Sequence, residues 1–442
     1  MKNATIDTQT PNKRHFLHPG MKFPFILLVS CFAAWGLAGN MTDPLVKVFG
    51  SVFSMNALQS SVVQFMYYGA YFALAIPAAW INSRLGYKGG VLIGLGLAAL
   101  GGFLFIPAAN IMTYGMFLLA LFTLASGLSI LETSANPFVM AMGPEHNATR
   151  RLNFAQSFNP VGSNIGVFLA AVLILPFVNP ATEEQRRSMT YEALREMQSQ
   201  ELNAVMAPYV GLALLYLFLL IAIALVKVPA RRTIISDKKA GIVVAPGRIS
   251  RLLKNKRYSF GVIAQFFNIA AQTCIWTYTL HYVTDALGVS DATAGTWLQV
   301  SLIIFLISRF VMVGLMGKFD SRKLMILMCS IGVVLSLIAI STGNIVGCIA
   351  IVGLSACISL LFPTIYGIAL EGLGDDTKYG AAGLVMAIVG GAVMPLVHGR
   401  LIDVTSAQFS YIIPLVCFAI ISAYGVYALK TKAHSNAQST EN

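Results

Sequence analysis

Charge is scarce in this chain. Of 442 residues only 18 are Asp or Glu and 30 are Lys or Arg, and together they make up 11% of the sequence. A soluble domain carries roughly a quarter charged residues, so a water-surrounded fold of this length is excluded. Cysteine is sparse too. Cys31, Cys274, Cys329, Cys348, Cys357 and Cys417 all fall in apolar segments, and no pair has C-x-x-C spacing. This pattern excludes a disulfide framework or a cysteine metal site and leaves small buried hydrophobes. There is no histidine cluster, P-loop, H-E-x-x-H or complete G-x-G-x-x-G, so nothing signals a metal, a catalytic centre or an organic cofactor. The formal net charge of +12 would suit a nucleic acid, but no soluble basic domain exists to carry it.

What the chain has is apolar length. Hydrophobic residues fill 57% and the mean hydropathy is +0.73. The apolar runs are continuous and about 20 residues long, as membrane helices are, whereas barrel strands are about 10 and alternate. Twelve spans are predicted, at 23–46, 58–82, 88–108, 113–141, 153–178, 206–228, 259–284, 293–317, 322–342, 345–370, 379–402 and 408–430. The fold class is therefore an all-α integral membrane protein. The first run is too long for a signal-peptide core. Lys2, Lys13, Arg14 and Lys22 precede it. One set of alternate loops carries Arg84, Lys88, Arg150, Arg151, Lys318, Arg322, Lys323 and the basic connection from Lys227 to Arg257. By the positive-inside rule those loops and both termini face the cytoplasm.

The organisation that follows is a tail over 1–22, six helices over 23–228, a cytoplasmic loop over 229–258, six helices over 259–430 and a tail over 431–442. Ser129-Ile130-Leu131-Glu132 corresponds to Ser359-Leu360-Leu361-Phe362, and each is followed by a Gly-containing acidic turn. These matches support two related bundles of parallel topology. The mixed-charge stretch from Thr182 to Met206 reads as a solvated external cap.

Against this apolar background two carboxylates stand out, Asp43 and Glu132. An ionisable group at bilayer depth costs at least ~2.5–3.5 kcal/mol and usually faces a cavity with a function. Pro137 withholds a backbone hydrogen bond near Glu132, and Thr133, Ser134 and Asn136 are expected to satisfy the freed groups. The pair points to a solute carrier that also handles a proton. Asn40 shares a helix face with Asp43. In span five, Gln156 and Asn159 fall on nearly one face, and amides both donate to and accept from sugar hydroxyls. Span seven repeats the theme with Gln265, Asn268 and Gln272. Trp35, Phe305 and Phe362 offer flat apolar surfaces of the kind sugar rings lie on. Arg309 is a rare cation within a span, expected either to pair across the C-terminal half or to snorkel.

These residues resemble a known family. Asn40-Met41-Thr42-Asp43, Leu131-Glu132-Thr133-Ser134-Ala135-Asn136-Pro137-Phe138 and Arg151-Leu152-Asn153-Phe154-Ala155-Gln156-Ser157-Phe158-Asn159 are similar to signatures of the fucose–galactose–glucose proton symporters. That family lies within the major facilitator superfamily, and the pattern is most like its bacterial L-fucose permease branch. Ala271-Gln272-Thr273, Phe362-Pro363-Thr364-Ile365 and Asp376-Thr377-Lys378-Tyr379-Gly380 continue the likeness. The resemblance implies a twelve-helix, two-bundle transporter of the bacterial inner membrane, working as a monomer by alternating access. It implies a monosaccharide and a proton as partners, the proton being the coupling ion and no cofactor being needed. Glu132 and Asp43 would be the essential acids, Glu132 coupled to the proton. Asn40, Gln156 and Asn159 would contact the sugar, with Trp35, Phe305 and Phe362 around the cavity. Two departures are visible: Ser83 stands where the superfamily's loop motif has Asp, and Phe362 where the fucose permease has Tyr. The lost hydroxyl keeps hexose-carrying relatives, amino sugars and, more remotely, a proton-driven exporter open as alternatives.

Overall fold

The computed structural model describes residues 15–41, 52, 57–174, 176, 183–228 and 248–440. Among them the secondary structure is helical throughout. The first pass is α1 (Lys22–Asn40). The next two form α2 (Ala57–Ile111), in which the chain turns at Gly86 with φ 70°. Only glycine takes that backbone at no steric cost. α3 (Tyr114–Ala141) is the fourth pass. The fifth is broken at Ser157 into α4 (Ala148–Gln156) and α5 (Phe158–Leu173). A short α6 (Glu183–Ser188) precedes α7 (Tyr191–Leu225).

The second half opens with the short α8 (Arg248–Lys254), then α9 (Lys256–Leu287), α10 (Asp291–Leu315) and α11 (Ser321–Ser341). Ser290, Asp320 and Asn344 cap α10, α11 and the following helix through side-chain bonds to first-turn N–H groups. The tenth pass splits into α12 (Ile345–Ile358) and α13 (Leu361–Leu370), the eleventh into α14 (Thr377–Met386) and α15 (Gly390–Val404), and α16 (Ile412–Thr440) is last.

Among the described residues, nine helical segments are long and apolar enough to cross a bilayer. The remaining passes are hidden by joins and polarity: two run together through Gly86, one is cut at Ser157, and α9 carries Gln265, Asn268 and Gln272. The architecture is that of a twelve-helix membrane bundle. Phe65, Phe168, Phe218 and Leu396 point outward from it, as lipid-facing side chains do.

The stretch expected to be a solvated cap is one only in part. Its second part belongs to α7, which begins at Tyr191 rather than near 206. Arg186 and Glu201 form a buried pair at 2.6 Å, 4% and 1% exposed. Outside this pair, Glu192, Arg195 and Glu196 are exposed.

Two apolar clusters form the core. One gathers Phe32, Phe105, Phe117, Phe138 and Tyr209, the other Ile275, Tyr282, Cys329, Ile351 and Phe418. Phe362, Tyr366, Tyr379 and Leu384 of α13 and α14 pack into the first cluster, so the second half is docked on the first. The docking lies at the end of the bundle that carries Arg84, Lys88, Arg150 and Lys378, the basic end. There Arg150 Nε donates to the Val313 carbonyl at 3.2 Å, Asn153 Nδ2 donates to Thr364 Oγ1 at 3.2 Å, and Lys378 lies over the Tyr87 ring at 6.0 Å.

Candidate functional site

α3 places Glu132 in the interior, 1% exposed, with neither carboxyl oxygen hydrogen-bonded among the described residues. The helix is held in place at its carbonyl end by Arg151, whose guanidinium is fully buried. Arg151 donates to the carbonyls of Val139 (2.8 Å), Gly143 (3.1 Å) and Phe16 (3.0 Å), and also to Met140. A cation on the last turn satisfies orphan carbonyls and the helix dipole together.

The helix runs on through Pro137, and the compensation for the missing N–H differs from the expected one. The carbonyl it leaves without an N–H is that of Thr133, four residues back. Asn82 of α2 donates to that carbonyl at 3.4 Å. The Thr133 and Ser134 hydroxyls turn backward instead, to the carbonyls of Ser129 (2.8 Å) and Ile130 (2.7 Å).

Around Glu132 lies a polar cluster. Asn136 is one turn on, beside the carboxyl, with its amide nitrogen unpaired among the described residues. Gln156 Nε2 donates to Asn136 Oδ1 at 2.8 Å. Tyr67 and Tyr71 of α2 and Tyr366 of α13 lie close enough to feel the Glu132 charge. Trp35 Nε1 donates to Tyr71 Oη at 2.7 Å, Tyr67 and Tyr71 hydroxyls are 3.4 Å apart, and Ser129 Oγ donates to the Tyr71 carbonyl at 3.3 Å. Tyr67, Tyr71 and Tyr366 belong to no motif that marks them in the sequence. A usable signal was present in Tyr67-Tyr68-Gly69-Ala70-Tyr71, two phenols one helical turn apart in an apolar run.

The other expected residues are placed as follows. Asn159 is half-buried and turns toward α1, its Nδ2 reaching the Phe32 carbonyl at 3.5 Å. A Cβ on Gly36 would overlap the Asn159 carbonyl, so a glycine is what lets α1 approach here. Gln156 and Asn159 therefore engage different neighbours, α3 and α1. Asn40 Nδ2 donates to the Gly36 carbonyl at 3.4 Å. Asp43 lies outside the described residues.

In the second half Phe305 is buried, with its ring under the Arg309 guanidinium (4.7 Å) and edge-on to Trp276 (5.0 Å). Trp276 Nε1 donates to Ser355 Oγ at 3.2 Å. Phe362 stacks on Tyr366 at 6.1 Å. Asn268, with Gln265 one turn before it, is fully buried, and the amide atoms of both are unpaired among the described residues. Gln272 is partly buried. No described hydrogen bond joins these three amides to the Glu132 cluster. Arg309 neither snorkels nor pairs within its own half: Nη1 donates to the Gln156 carbonyl at 2.5 Å.

The first half thus holds a buried carboxyl, an amide pair beside it and a separate Trp35–Tyr71–Tyr67 chain. It can hold and release a proton at one oxygen pair and hydrogen-bond a polyol next to it. Among the described residues no His, Cys, Asp or Glu group could hold a metal.

Known proteins resemble this chain along nearly its whole length. The model of the Major Facilitator Superfamily matches residues 25–368. The chain is 40% identical over 419 residues to the L-fucose-proton symporter of Haemophilus influenzae, covering 92% of this chain and 96% of that protein. It is 36% identical to the L-fucose-proton symporter of Escherichia coli K12, over 98% and 99% of the two chains. A glucose/galactose transporter of Brucella abortus is 31% identical, over 97% and 98%. The crystal structure of FucP, a Major Facilitator Superfamily transporter in the outward conformation, superposes with a TM-score of 0.86. It is 36% identical and covers 92% of this chain and 99% of that one.

Proposed function

This chain belongs to the Major Facilitator Superfamily, and from that membership we propose that it is a proton-coupled symporter importing L-fucose or a closely related sugar by alternating access. It is a transporter and not an enzyme. The observation that carries the reading is Glu132: a fully buried carboxyl beside the Asn136–Gln156 amide pair, in the helix packed under the halves' contact. A neutral carboxyl can occupy that place, and an ionised one must find a partner or water. Proton uptake at Glu132 therefore precedes or accompanies sugar binding, and proton release follows when the site opens inward.

Asp43, near the far end of the first pass, serves as the second acid. Asn40, Gln156 and Asn159 contact the sugar from the first half; Asn268 and Gln272 contact it from the second. Trp35, Phe305 and Phe362 line the cavity. The bundles over 23–228 and 259–430 rock about this site, linked by the cytoplasmic loop 229–258, with tails over 1–22 and 431–442. The protein acts as a monomer in the bacterial inner membrane with the basic end and both termini in the cytoplasm. The proton is the coupling ion, and no other cofactor is required.

A second reading has one specific observation behind it. Phe362 brings no hydroxyl to the site, and the Brucella relative is a glucose/galactose transporter. Uptake of labelled L-fucose, galactose, glucose, arabinose and N-acetylglucosamine, with and without an uncoupler, separates the two. L-fucose uptake abolished by the uncoupler is expected. Glu132→Gln should lose pH-driven accumulation while keeping sugar exchange, and unchanged accumulation would refute the coupling role.

A further inference from the structure

Pro160 has no N–H, so the Gln156 carbonyl four residues earlier loses its helical donor. That is where the fifth pass breaks, between α4 and α5. A buried carbonyl without a donor is costly. In the fourth pass the same situation, Pro137 and the Thr133 carbonyl, is met from within the first half by Asn82. In the fifth pass it is met from the opposite half, by Arg309 Nη1 at 2.5 Å. Arg309 is 6% exposed, its shape is fixed by the Phe305 ring beneath it, and its Nε has no hydrogen bond among the described residues. Among those residues, the Gln156 carbonyl is the one hydrogen-bond acceptor its guanidinium reaches.

The neighbouring contacts lie between the same two passes, α10 and the broken fifth pass of α4 and α5. Phe310 meets Phe158 edge-on at 5.7 Å, and one turn nearer the basic end the Val313 carbonyl accepts from Arg150. Arg309 is therefore the innermost buried polar contact between these passes at the basic end; farther from that end the exposed Gln299 Nε2 reaches Asn164 Oδ1 at 3.4 Å. Rocking that opens this end separates α10 from α4 and α5 and must break it.

We propose that Arg309 is a positioning residue for transport: it latches the second half onto the carbonyl that Pro160 leaves free, and so holds the basic end shut. The Gln156 side chain, pointing to Asn136, is held in register with the same contact. This inference rests on alternating access by the chain but on no particular sugar.

The test uses accessibility, which needs no substrate. Thr149 faces Gly367 across the closed seam, and all six native cysteines are buried. Thr149→Cys in inside-out vesicles is treated with a membrane-impermeant maleimide. Arg309→Met, which removes the donor, and Pro160→Ala, which restores a helical donor to compete for the carbonyl, should each raise the labelling rate about tenfold, the effect of one hydrogen bond to a charged group. Arg309→Lys should fall between. The double variant should label no faster than the faster single one. Asn82→Ala frees a carbonyl within one half and should leave the rate unchanged. Unchanged labelling in Pro160→Ala and Arg309→Met, additive effects in the double variant, or an equal rise in Asn82→Ala would each overturn the proposal. If Arg309→Met fails to insert, Pro160→Ala decides alone. A labelling result as expected with no L-fucose uptake would reject the sugar and leave the latch standing.

Discussion

At the scale of single residues, the site is a set of polar groups whose partners are other site residues. Trp35 illustrates the consequence. Its indole N–H goes to Tyr71, whose hydroxyl also meets Tyr67. Tyr71→Phe removes that acceptor and leaves the indole donor unpaired, at a cost of about 1–3 kcal/mol. If this trio shapes the sugar site, sugar affinity in binding assays should fall by roughly tenfold while membrane expression stays near normal. Normal affinity would assign the trio to helix packing. Glu132 was legible in the sequence because an ionisable group in an apolar run is costly and rare, and Arg309 attracted notice for the same reason. Tyr67, Tyr71 and Asn82 were not, because a phenol or a lone amide in an apolar run looks like packing or helix glue until its neighbour is known. The partner of Arg309 was beyond local reading. It depends on Pro160, more than a hundred residues away, and on two helices meeting.

At the scale of elements, prolines set where helices break and which carbonyls seek outside donors. Pro137 hands the Thr133 carbonyl to α2, Pro160 hands the Gln156 carbonyl to α10, and the tenth pass breaks just before Pro363. The spans themselves were readable, since apolar length alone dictates them. In the mixed-charge stretch before the sixth span one buried ion pair was not readable, because charge in sequence says nothing of pairing. Arg186 and Glu201, on α6 and α7, bury their charges together through two hydrogen bonds, at 3.1 and 2.6 Å. Breaking such a pair from one side leaves an uncompensated buried charge and costs about 3–5 kcal/mol. Arg186→Ala should therefore lower the melting temperature in detergent markedly. Arg186→Met with Glu201→Leu should recover most of the loss, because neither charge then remains. Equal damage in the single and double variants would mean that the pair is incidental.

At the scale of the whole molecule, the second half must move as a body if the halves rock, and its basic end is tied accordingly. Lys432 of α16 donates to Asp320 at 2.7 Å, ahead of α11. Arg322 of α11 and Arg257 of α9 both engage Glu371, which follows α13. Arg251 of α8 holds Asp376 at 3.0 Å. These bonds fasten α9, α11, α13 and α16 to one another and α8 to the start of α14, and leave the seam with the first half to contacts that can part, such as those of Arg150 and Asn153. Partial burial opposes ionisation of Asp320. The Lys432 hydrogen bond, the Arg322 backbone N–H and the two cations outweigh it, holding the carboxyl below the ordinary aspartate range. A carboxyl depressed in the folded state stabilises fully above its unfolded pKa, about 3.9, and loses that contribution as pH falls through the lower folded value. Melting temperature measured from pH 6 down to pH 3 should therefore fall at the acid end. Asp320→Asn should melt lower than the unaltered protein at pH 6, with the two curves converging toward pH 3. Curves that stay parallel across the range would show that Asp320 does not anchor the bundle.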